Sequence, residues 1–448
     1  MQRNVFLTGA AAALAGLPAL ARAQDGDLAA AAIRAYIFAY PLVLVALTEQ
    51  HQLAQTARNQ FRHDRELASP ENRFIVRPNV DTLYSSAFID LRRGPVLLTV
   101  PPSVGHFFVC EVMDAWTNVF ADPGTRTTGA AAQRLVFARS DQHPVLPAGY
   151  RRVEAPTDVC WFFNRIALHA GADAATVHAM QDGFTLAPFP GGTALRGVDH
   201  GANDPNKLGA AVAAMAPEAF FDLAARRLRA NPAPRGDEAG VRDFARLGIV
   251  PGEPLRLDAL TPTAQTALRA APSAALTHIT ALGSLPLTAT RWTRPDPRIG
   301  RFGAADLFRA KVAAYGIAAN LPADALYYAT ASVGARQLRF APGALPPQSG
   351  FWSLTMYDLD GYLVPNAIAR YALRSGDPFV PDADGGLTLE LAPTAPSDAT
   401  RSANWLPAPA GPYTLLLRLY WPLRPALKGS WIGLSRAVRR GRRGRPPA

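Results

Sequence analysis

The apolar residues from Phe74 to Leu168 follow a period of two, and proline and glycine residues separate the runs. A period of two places successive side chains on opposite faces of a strand, so this region is predicted to be β-rich. The pattern returns beyond residue 321, and between the two regions apolar stripes at three- and four-residue spacing predict helices. The sequence therefore predicts an α+β protein. Its two β-rich domains, sandwich or jelly-roll-like, are joined by a helical connection.

The individual elements follow from the same patterns. Predicted strands are Leu83–Leu91, Pro95–Pro101, His106–Val112, Leu135–Arg139, Tyr150–Ala155, Val159–Ala167, Gln337–Phe340, Phe351–Leu359, Leu387–Leu391 and Tyr413–Trp421. Predicted helices are Asp25–Thr56, Ala172–Gln181, Glu218–Arg229 and Ala304–Ile317. Pro41 lies inside the first helix and predicts a kink or two shorter helices, because proline removes a backbone hydrogen bond.

The first 23 residues resemble an export signal. Arg3 precedes an apolar segment, Val5 to Leu20, and Ala21-Arg22-Ala23 fits a small-x-small cleavage site. A periplasmic or secreted protein is predicted, and an uncleaved membrane anchor is the alternative. We expect no transmembrane span after signal removal, because no later segment reads as long and apolar enough. The predicted segments are 1–23, signal peptide; 24–73, N-terminal helical segment; 74–182, first β-rich domain; 183–320, helical connection; 321–435, second β-rich domain; and 436–448, basic disordered tail.

The positive charge is concentrated at the two ends of the chain. The formal net charge is +11, but eight arginines lie in the predicted signal and tail, which contain no acidic residue. The remaining body is close to neutral, so a nucleic-acid partner is not predicted. Cys110 and Cys160 lie in apolar strand-like runs, which predicts buried free thiols, and a disulfide is the alternative in an oxidising compartment.

Two polar motifs border the first strands. Arg77 to Ser86 reads Arg-Pro-Asn-Val-Asp-Thr-Leu-Tyr-Ser-Ser, and Asp114 to Asn118 reads Asp-Ala-Trp-Thr-Asn. Because loops cluster at strand ends, we expect the two motifs to meet at one edge of a sheet. The sequence contains no zinc-protease, serine-hydrolase, phosphate-loop or dinucleotide motif, and its eight histidines lack metal-ligand spacing. Neither a cofactor nor a metal site is predicted.

These motifs, with Met113–Phe120, Gly124–Gly129 and Ala155-Pro-Thr, resemble domain of unknown function 1254. In the second half, other motifs resemble its usual partner, domain of unknown function 1214: Phe351–Tyr357, Asn366, Arg370-Tyr371, Asn404–Pro409 and Leu417–Pro422. The resemblance covers roughly Ala30 to Ser435. It implies a two-domain, β-rich, often exported bacterial protein that is able to form homo-oligomers, and it assigns no activity.

The motif residues supply the candidate site. Asp81 and Asp114 are the predicted acid/base groups. The predicted ligand-binding residues are Arg77, Asn79, Thr82, Tyr84, Trp116, Asn118, Arg126, Trp352, Tyr357, Asn366, Arg370 and Trp405. Arginine binds carboxylates, Asp and Asn complement hydroxyl groups, and aromatic rings stack on sugars. Equally, such residues cap strand ends, satisfy loop backbone or fill a core.

The prediction for function is accordingly broad. The sequence indicates an exported protein that binds a small polar or carboxylate-bearing ligand, with hydrolase or lyase chemistry as one form of that activity. The alternative is an envelope structural or assembly protein that acts through oligomer contacts.

Overall fold

The computed structural model describes residues 28–72, 76–103, 105–168, 174–201, 208–281, 292–293 and 295–431. The predicted signal peptide and basic tail lie outside these residues. The described chain forms two compact units. The first unit contains the described residues up to 281 together with 296–324, and the second contains 292, 293, 295 and 325–431. Both units combine helices with β-sheets, so the α+β class is confirmed.

The described part of the first unit begins with a single helix, α1 (Leu28–Leu53), which contains Pro41. The chain does not divide into two helices at this proline. By length and composition α1 is able to cross a membrane, so the expectation that no segment after the signal is long and apolar enough is wrong. In the structure, however, 78% of its most apolar window is buried. A core helix that is surrounded by protein needs the same apolar composition as a membrane span, so a buried helix such as α1 meets the length and composition criteria for a span.

The described part of the first unit contains ten strands. They are β1 (Arg62–Asp64), β2 (Thr82–Asp90), β3 (Val96–Val100), β4 (Phe108–Met113), β5 (Val119–Ala121), β6 (Gln133–Ala138), β7 (Arg151–Glu154), β8 (Val159–Ala167), β9 (Thr185–Pro188) and β10 (Val198–His200). A six-stranded sheet has the order β10-β1-β2-β8-β4-β5, and a four-stranded sheet has the order β7-β6-β3-β9. β8 is antiparallel to both β2 and β4, so β2 and β4 run in the same direction.

One buried apolar cluster contains residues from both sheets. Ile89 and Phe162 come from the six-stranded sheet, and Leu98 and Phe137 come from the four-stranded sheet. Cys110 and Cys160 belong to the same cluster, and both are free thiols. Alternation along each strand therefore directs apolar side chains into a core that the two sheets share.

The described part of the first unit contains six further helices: α2 (Ala174–Gly183), α3 (Leu208–Ala213), α4 (Pro217–Ala230), α5 (Glu238–Arg246), α6 (Pro262–Thr280) and α7 (Asp306–Gly316), with a 3₁₀ turn at Leu257–Ala259. A second apolar cluster joins most of them to α1. Within it Tyr36 stacks on Phe220 with ring centroids 3.9 Å apart, and the Phe38 ring lies 4.6 Å from that of Trp116. Trp116 thus connects the helical core to the loop after β4.

The segment 183–320, predicted as a helical connection, also contains strands. β9 pairs with β3, and β10 pairs with β1, so both belong to the sheets of the first unit. The two strands contain only four and three residues. Such short strands carry too little alternation to be recognised among the glycines and prolines that surround them.

The described part of the second unit contains two further sheets. Its elements are β11 (Ala325–Val333), β12 (Arg336–Phe340), β13 (Trp352–Tyr357), β14 (Ala372–Arg374), β15 (Leu387–Ala392), a 3₁₀ helix (Ala399–Asn404), β16 (Trp405–Pro407), β17 (Pro412–Tyr420) and α8 (Arg424–Leu427). The strand orders are β11-β17-β13-β14 and β12-β15-β16. One apolar cluster contains Leu354 and Leu417 from the first sheet and Leu389 and Leu406 from the second.

Candidate functional site

Two charged side chains lie on one face of the six-stranded sheet. Glu111 on β4 is fully buried, and Arg165 on the neighbouring β8 is 7% exposed. In the β4–β8 ladder Glu111 is opposite Phe163 and Arg165 is opposite Val109, so the two charges are diagonal neighbours on the same face. A buried charge is costly unless it is paired and hydrogen-bonded. The contacts of these two residues therefore define the site.

Each oxygen of the Glu111 carboxyl group accepts one hydrogen bond. Arg165 Nη1 donates to Oε2, and Asn320 Nδ2 donates to Oε1. Arg165 Nη2 donates to the backbone carbonyl oxygen of Ala318 at 2.5 Å. Ala318 has a φ of 62°, a left-handed conformation that is unfavourable for a residue with a Cβ atom. The chain after α7 is thus held in an uncommon shape where it contacts Arg165 and Glu111.

A second carboxyl group in this region belongs to Asp324, whose side chain is 1% exposed. Arg126 binds it with two hydrogen bonds, from Nε to Oδ1 at 2.7 Å and from Nη2 to Oδ2 at 3.1 Å. The same Nη2 donates to Asp122 Oδ2 at 2.5 Å. We call Glu111, Arg126, Arg165, Asn320 and Asp324 the Glu111 centre.

Both buried acids of the Glu111 centre have raised pKa values. Burial raises the pKa of Glu111 to about 8, with a further increase from the charge of Asp324, although the Arg165 guanidinium opposes the shift. Burial also raises the pKa of Asp324 to about 6, against the lowering effect of Arg126. Two interacting carboxyl groups therefore change protonation state close to neutral pH. This property is common in groups that transfer protons during catalysis.

Two aromatic rings border the Glu111 centre. The Arg165 guanidinium lies 4.7 Å from the centroid of the Phe163 ring and 5.7 Å from that of the Tyr84 ring. These two rings are 4.9 Å apart, and both residues are partly exposed. Arg126 is also partly exposed, with 25% of its side chain accessible. The buried acids are thus bordered by side chains that reach the surface of the unit.

The sequence-predicted residues are divided between several places. Tyr84 and Arg126 lie at the Glu111 centre, as described above. The two motifs do not meet at one edge of the sheet: Thr82, where the first motif enters β2, is opposite Ala167, whereas Met113, just before the second motif, is opposite Trp161. Because β2 and β4 are parallel, the motif that precedes β2 and the motif that follows β4 occupy opposite ends. Six residues of β8 separate them, which is roughly 20 Å.

The second motif forms a closed turn. Asp114 Oδ1 accepts hydrogen bonds from the backbone N–H groups of Trp116 at 2.9 Å and Asn118 at 2.8 Å, and Oδ2 accepts one from Asn118 Nδ2 at 3.0 Å. Burial raises the pKa of Asp114 to about 6, against the effect of these donors. The Trp116 side chain is fully buried, and its Nε1 donates to the carbonyl oxygen of Pro232 at 2.8 Å. This turn links β4 to the helical core.

The first motif leads into β2 as a buried loop. Asn79 Oδ1 accepts a hydrogen bond from the backbone N–H of Asp81 at 2.6 Å, and Arg77 has a left-handed φ of 57°. Asp81 and Thr82 are both buried, and the Thr82 hydroxyl has no hydrogen-bond partner among the described residues. The preceding residues 73–75 lie outside the described chain. The assignment of Asp81 as an acid/base group therefore stays a prediction.

In the second unit, Tyr357 belongs to a polar face of its sheet. Arg418 on β17 is 3% exposed and donates from Nη1 to Thr355 Oγ1 at 2.9 Å and from Nη2 to the Tyr357 hydroxyl at 2.7 Å. Trp352 points to the other face, where its ring stacks on that of Phe379 in the core. The sequence interpretation did not include Arg418, although an arginine within the apolar run Tyr413 to Trp421 is a recognisable signal.

The other three predicted residues of this unit bind loop backbone. Arg370 Nη1 donates to the carbonyl oxygens of Ser402 at 2.7 Å and Trp405 at 2.9 Å. Asn366 Nδ2 donates to the Arg370 carbonyl oxygen at 2.9 Å, and Trp405 Nε1 donates to that of Ala392 at 2.9 Å. These contacts hold the loops around β16 in place.

The sequence interpretation also missed most of the Glu111 centre. Glu111 and Arg165 carried a signal, because a charge inside an apolar strand has to be paired when the strand is buried. Asn320 and Asp324 follow α7, more than 200 residues after Glu111, and no local pattern marks them. Within the described ranges, no group of three or more His, Cys, Asp or Glu side chains is arranged to hold a metal ion.

Both halves of the chain match family models. Residues 58–188 match "Protein of unknown function (DUF1254)", and residues 331–424 match "Protein of unknown function (DUF1214)". The two matches fall one in each compact unit. The chain belongs to the paired DUF1254 and DUF1214 family, as its motifs indicated.

Two solved structures are similar to this chain, and the first of them supports the same fold. The VPA0106 protein from Vibrio parahaemolyticus is 19% identical, with a TM-score of 0.67 over 92% of this chain and 100% of that chain. An uncharacterised protein from Burkholderia cenocepacia is 16% identical over 91% of this chain and 90% of that chain, with a TM-score of 0.43. No curated protein matches the chain. The first similarity shows that the two-unit fold occurs elsewhere, and it assigns no activity.

Proposed function

We propose that this protein binds a small, uncharged polar ligand at the Glu111 centre and carries out acid–base chemistry there, of the hydrolase or lyase type. One observation carries the proposal: a fully buried glutamate whose pKa is raised to about 8 and which contacts both an arginine and an asparagine. A carboxyl group with such a pKa is protonated at neutral pH and is able to donate its proton to a reacting oxygen or nitrogen.

The charges of the centre favour a neutral ligand over an anionic one. Arg165 already donates to Glu111, and Arg126 already donates to Asp122 and Asp324. Both guanidinium groups are therefore engaged by carboxyl groups. A ligand carboxylate would compete with those acids, whereas hydroxyl or amide groups of a ligand would complement them. The partly exposed rings of Tyr84 and Phe163 offer an apolar face on which a sugar-like or cyclic ligand is able to stack.

Two further features of the sequence prediction belong to this proposal. Residues 1–23 support export to the periplasm or beyond, where small polar nutrients and envelope components occur. The shared core of the two sheets supports a sandwich arrangement in the first unit.

Cell fractionation tests the proposed export. We expect the mature chain, cut near residue 23, to appear in a periplasmic extract. Recovery of the full-length chain in membranes would instead indicate an uncleaved anchor.

The proposal is tested by a thermal-shift screen with polyols, sugars, uronates, aliphatic and aromatic acids, amides and divalent metals. A ligand at about one hundred times its Kd stabilises the folded state by about 2.7 kcal/mol, which gives a measurable shift. We expect neutral polyols or amides to stabilise the protein, and Glu111→Gln to abolish that shift. Glu154→Gln is the matched control, because the Glu154 side chain is 58% exposed and lies on β7 in the other sheet.

Catalysis has its own readout. If a screening hit is turned over, the rate should fall as pH rises through about 8, because only the protonated Glu111 donates a proton. Shifts that persist in Glu111→Gln would remove the centre from the proposal. A library with no hits would favour the alternative of an envelope structural protein, which light scattering would test by its oligomeric state.

A further inference from the structure

Four neighbouring strands of the six-stranded sheet each contribute one side chain to a row across its core face. His63 on β1 is opposite Ser85 on β2, Ser85 is opposite Asn164 on β8, and Asn164 is opposite Cys110 on β4. Cys110 belongs to the apolar cluster that the two sheets share, as does Phe162, which has the same strand parity as Asn164. We call His63, Ser85, Asn164 and Cys110 the polar row.

The polar row is separate from the Glu111 centre. Glu111 directly follows Cys110 in β4, and Arg165 directly follows Asn164 in β8. Successive residues of a strand point to opposite faces of the sheet. The polar row therefore lies on the core face and the Glu111 centre on the other, so a ligand of the row does not depend on the function proposed for the centre.

The polar row is buried but only partly hydrogen-bonded. His63 Nδ1 and Ser85 Oγ form a hydrogen bond of 2.8 Å. Burial lowers the pKa of His63 to about 4, with a further lowering by the charge of Arg65, so the imidazole is uncharged at neutral pH. Asn164 is fully buried, and neither its Oδ1 nor its Nδ2 has a hydrogen-bond partner among the described residues.

Other buried amides of the chain behave differently. Asn404 is equally buried, and its Oδ1 accepts from the backbone N–H of Val380 at 2.8 Å. Its Nδ2 donates to the carbonyl oxygens of Val380 at 2.8 Å and Thr388 at 3.0 Å. Gln181 Nε2 likewise donates to two backbone carbonyl oxygens. An unpaired amide in a core is costly, and a leucine of similar size would avoid that cost, so Asn164 is unsuited to a purely structural role.

The surroundings of Asn164 limit the size and charge of a binding partner. Phe108 and Phe162 lie on opposite sides of the polar row, because β4 and β8 are antiparallel and each ring is two residues before a member of the row. The Phe184 ring, directly after α2, lies 6.2 Å from that of Phe108 and 6.0 Å from that of Phe162. Phe184 thus spans the row, and a partner of Asn164 has to be small. It also has to be neutral, because a charge needs an opposite charge when it is buried.

We propose that the polar row binds a small neutral molecule that both donates and accepts hydrogen bonds. Asn164 supplies one acceptor oxygen and two N–H donors, and Ser85 supplies a hydroxyl group. Directly opposite residues have Cβ atoms about 4.5–5.5 Å apart, so one small molecule is able to bridge Ser85 and Asn164. Water and a short amide or alcohol share this chemistry. An apolar molecule would leave the amide unpaired.

The test is an atomic-resolution crystal structure of the full chain, purified and crystallised without added amides or alcohols. Asn164→Leu is the test variant, because it keeps the volume of the side chain and removes its donors and acceptor. Thr99→Val is the matched control, because Thr99 lies on β3 in the other sheet and is partly exposed. Mass spectrometry of the denatured protein's extract separates an organic ligand from water. The wild-type electron density is decisive even if Asn164→Leu fails to fold.

We expect density for one compact molecule about 2.7–3.2 Å from Asn164 Oδ1 or Nδ2 in wild type and in Thr99→Val, and none in Asn164→Leu. A water-sized peak with no extracted compound identifies water, and a larger peak with a matching mass identifies an amide or alcohol. Three results would overturn the proposal. They are an amide that contacts only aromatic rings, an amide rotated onto a protein group, and a peak that Asn164→Leu leaves unchanged.

Discussion

Substitution of Glu111 by glutamine would show directly whether the buried carboxyl group is protonated near neutral pH. Glu111 is fully buried, and burial raises its pKa from 4.5 to about 8. A raised pKa in the folded state means that Glu111 contributes stability fully below pH 4.5 and that this contribution is lost as pH rises through about 8. The pKa difference, at 1.36 kcal/mol for each pH unit, corresponds to about 5 kcal/mol.

The assay is urea unfolding of wild type and Glu111→Gln at pH values from 4.5 to 9. Taking the difference between the two proteins at each pH cancels the titration of all other groups that behave alike in both. We expect the free energy of unfolding of wild type, relative to the variant, to fall by about 5 kcal/mol across this range. The exposed Glu154→Gln substitution should give a difference that changes little with pH.

Two results would refute the reasoning. A difference that is constant with pH would mean that Glu111 titrates alike in the folded and unfolded chains. A difference that grows with rising pH would mean that Arg165 and Asn320 stabilise the carboxylate more than burial destabilises it. In that case the pKa of Glu111 would be lowered, and the group would have no proton to donate at neutral pH.

Three other substitutions or treatments test the structure around the site. Asp114→Ala should lower the free energy of unfolding in urea by about 2–3 kcal/mol, because two backbone N–H groups lose their acceptor. Asp114→Asn keeps an acceptor oxygen and should lower it by about 1 kcal/mol or less, so equal losses in the two variants would contradict the turn. In a free helix, replacing glycine by alanine stabilises, but Gly240→Ala should destabilise the protein by about 2 kcal/mol or more, because the new Cβ would lie 2.2 Å from Phe38 Cγ. A gain in melting temperature would contradict this packing. Cys110 and Cys160 should react with a thiol reagent only after unfolding, because both are buried and burial raises the pKa of each thiol. Rapid reaction of the native protein would be inconsistent with the structure. The absence of a free thiol after unfolding would be inconsistent with it as well.

Local patterns in the sequence were sufficient for much of the fold. The strand predicted over Val159–Ala167 has the same limits in the structure, and the strand predicted over Leu83–Leu91 is found as Thr82–Asp90. These strands alternate in hydropathy and are bounded by turn residues, which are properties of neighbouring positions. The family was likewise recognisable, because its motifs are short contiguous runs such as Met113–Phe120.

Elements with weak local patterns were missed. β11 and α6 were not predicted as elements, although they contain nine and nineteen residues. Pro272 lies inside α6 and interrupts its helical signal. In the structure, packing of Leu268 and Ile279 into the helical core compensates for the hydrogen bond that the proline removes. Tertiary contacts of this kind override local preference.

The Glu111 centre is decided by tertiary structure alone. Glu111 and Arg165 interrupt apolar runs in the sequence, but alternation does not show that β4 and β8 are neighbours or that the chain after α7 brings Asn320 to the same carboxyl group. The same limitation explains why the two motifs were expected at one edge of the sheet, although they lie at its opposite ends. A side-chain period specifies which face a residue occupies, because that is a property of one strand. Which residue of a neighbouring strand lies next to it on that face depends on the order and direction of the strands, and these are set only when the whole core is packed.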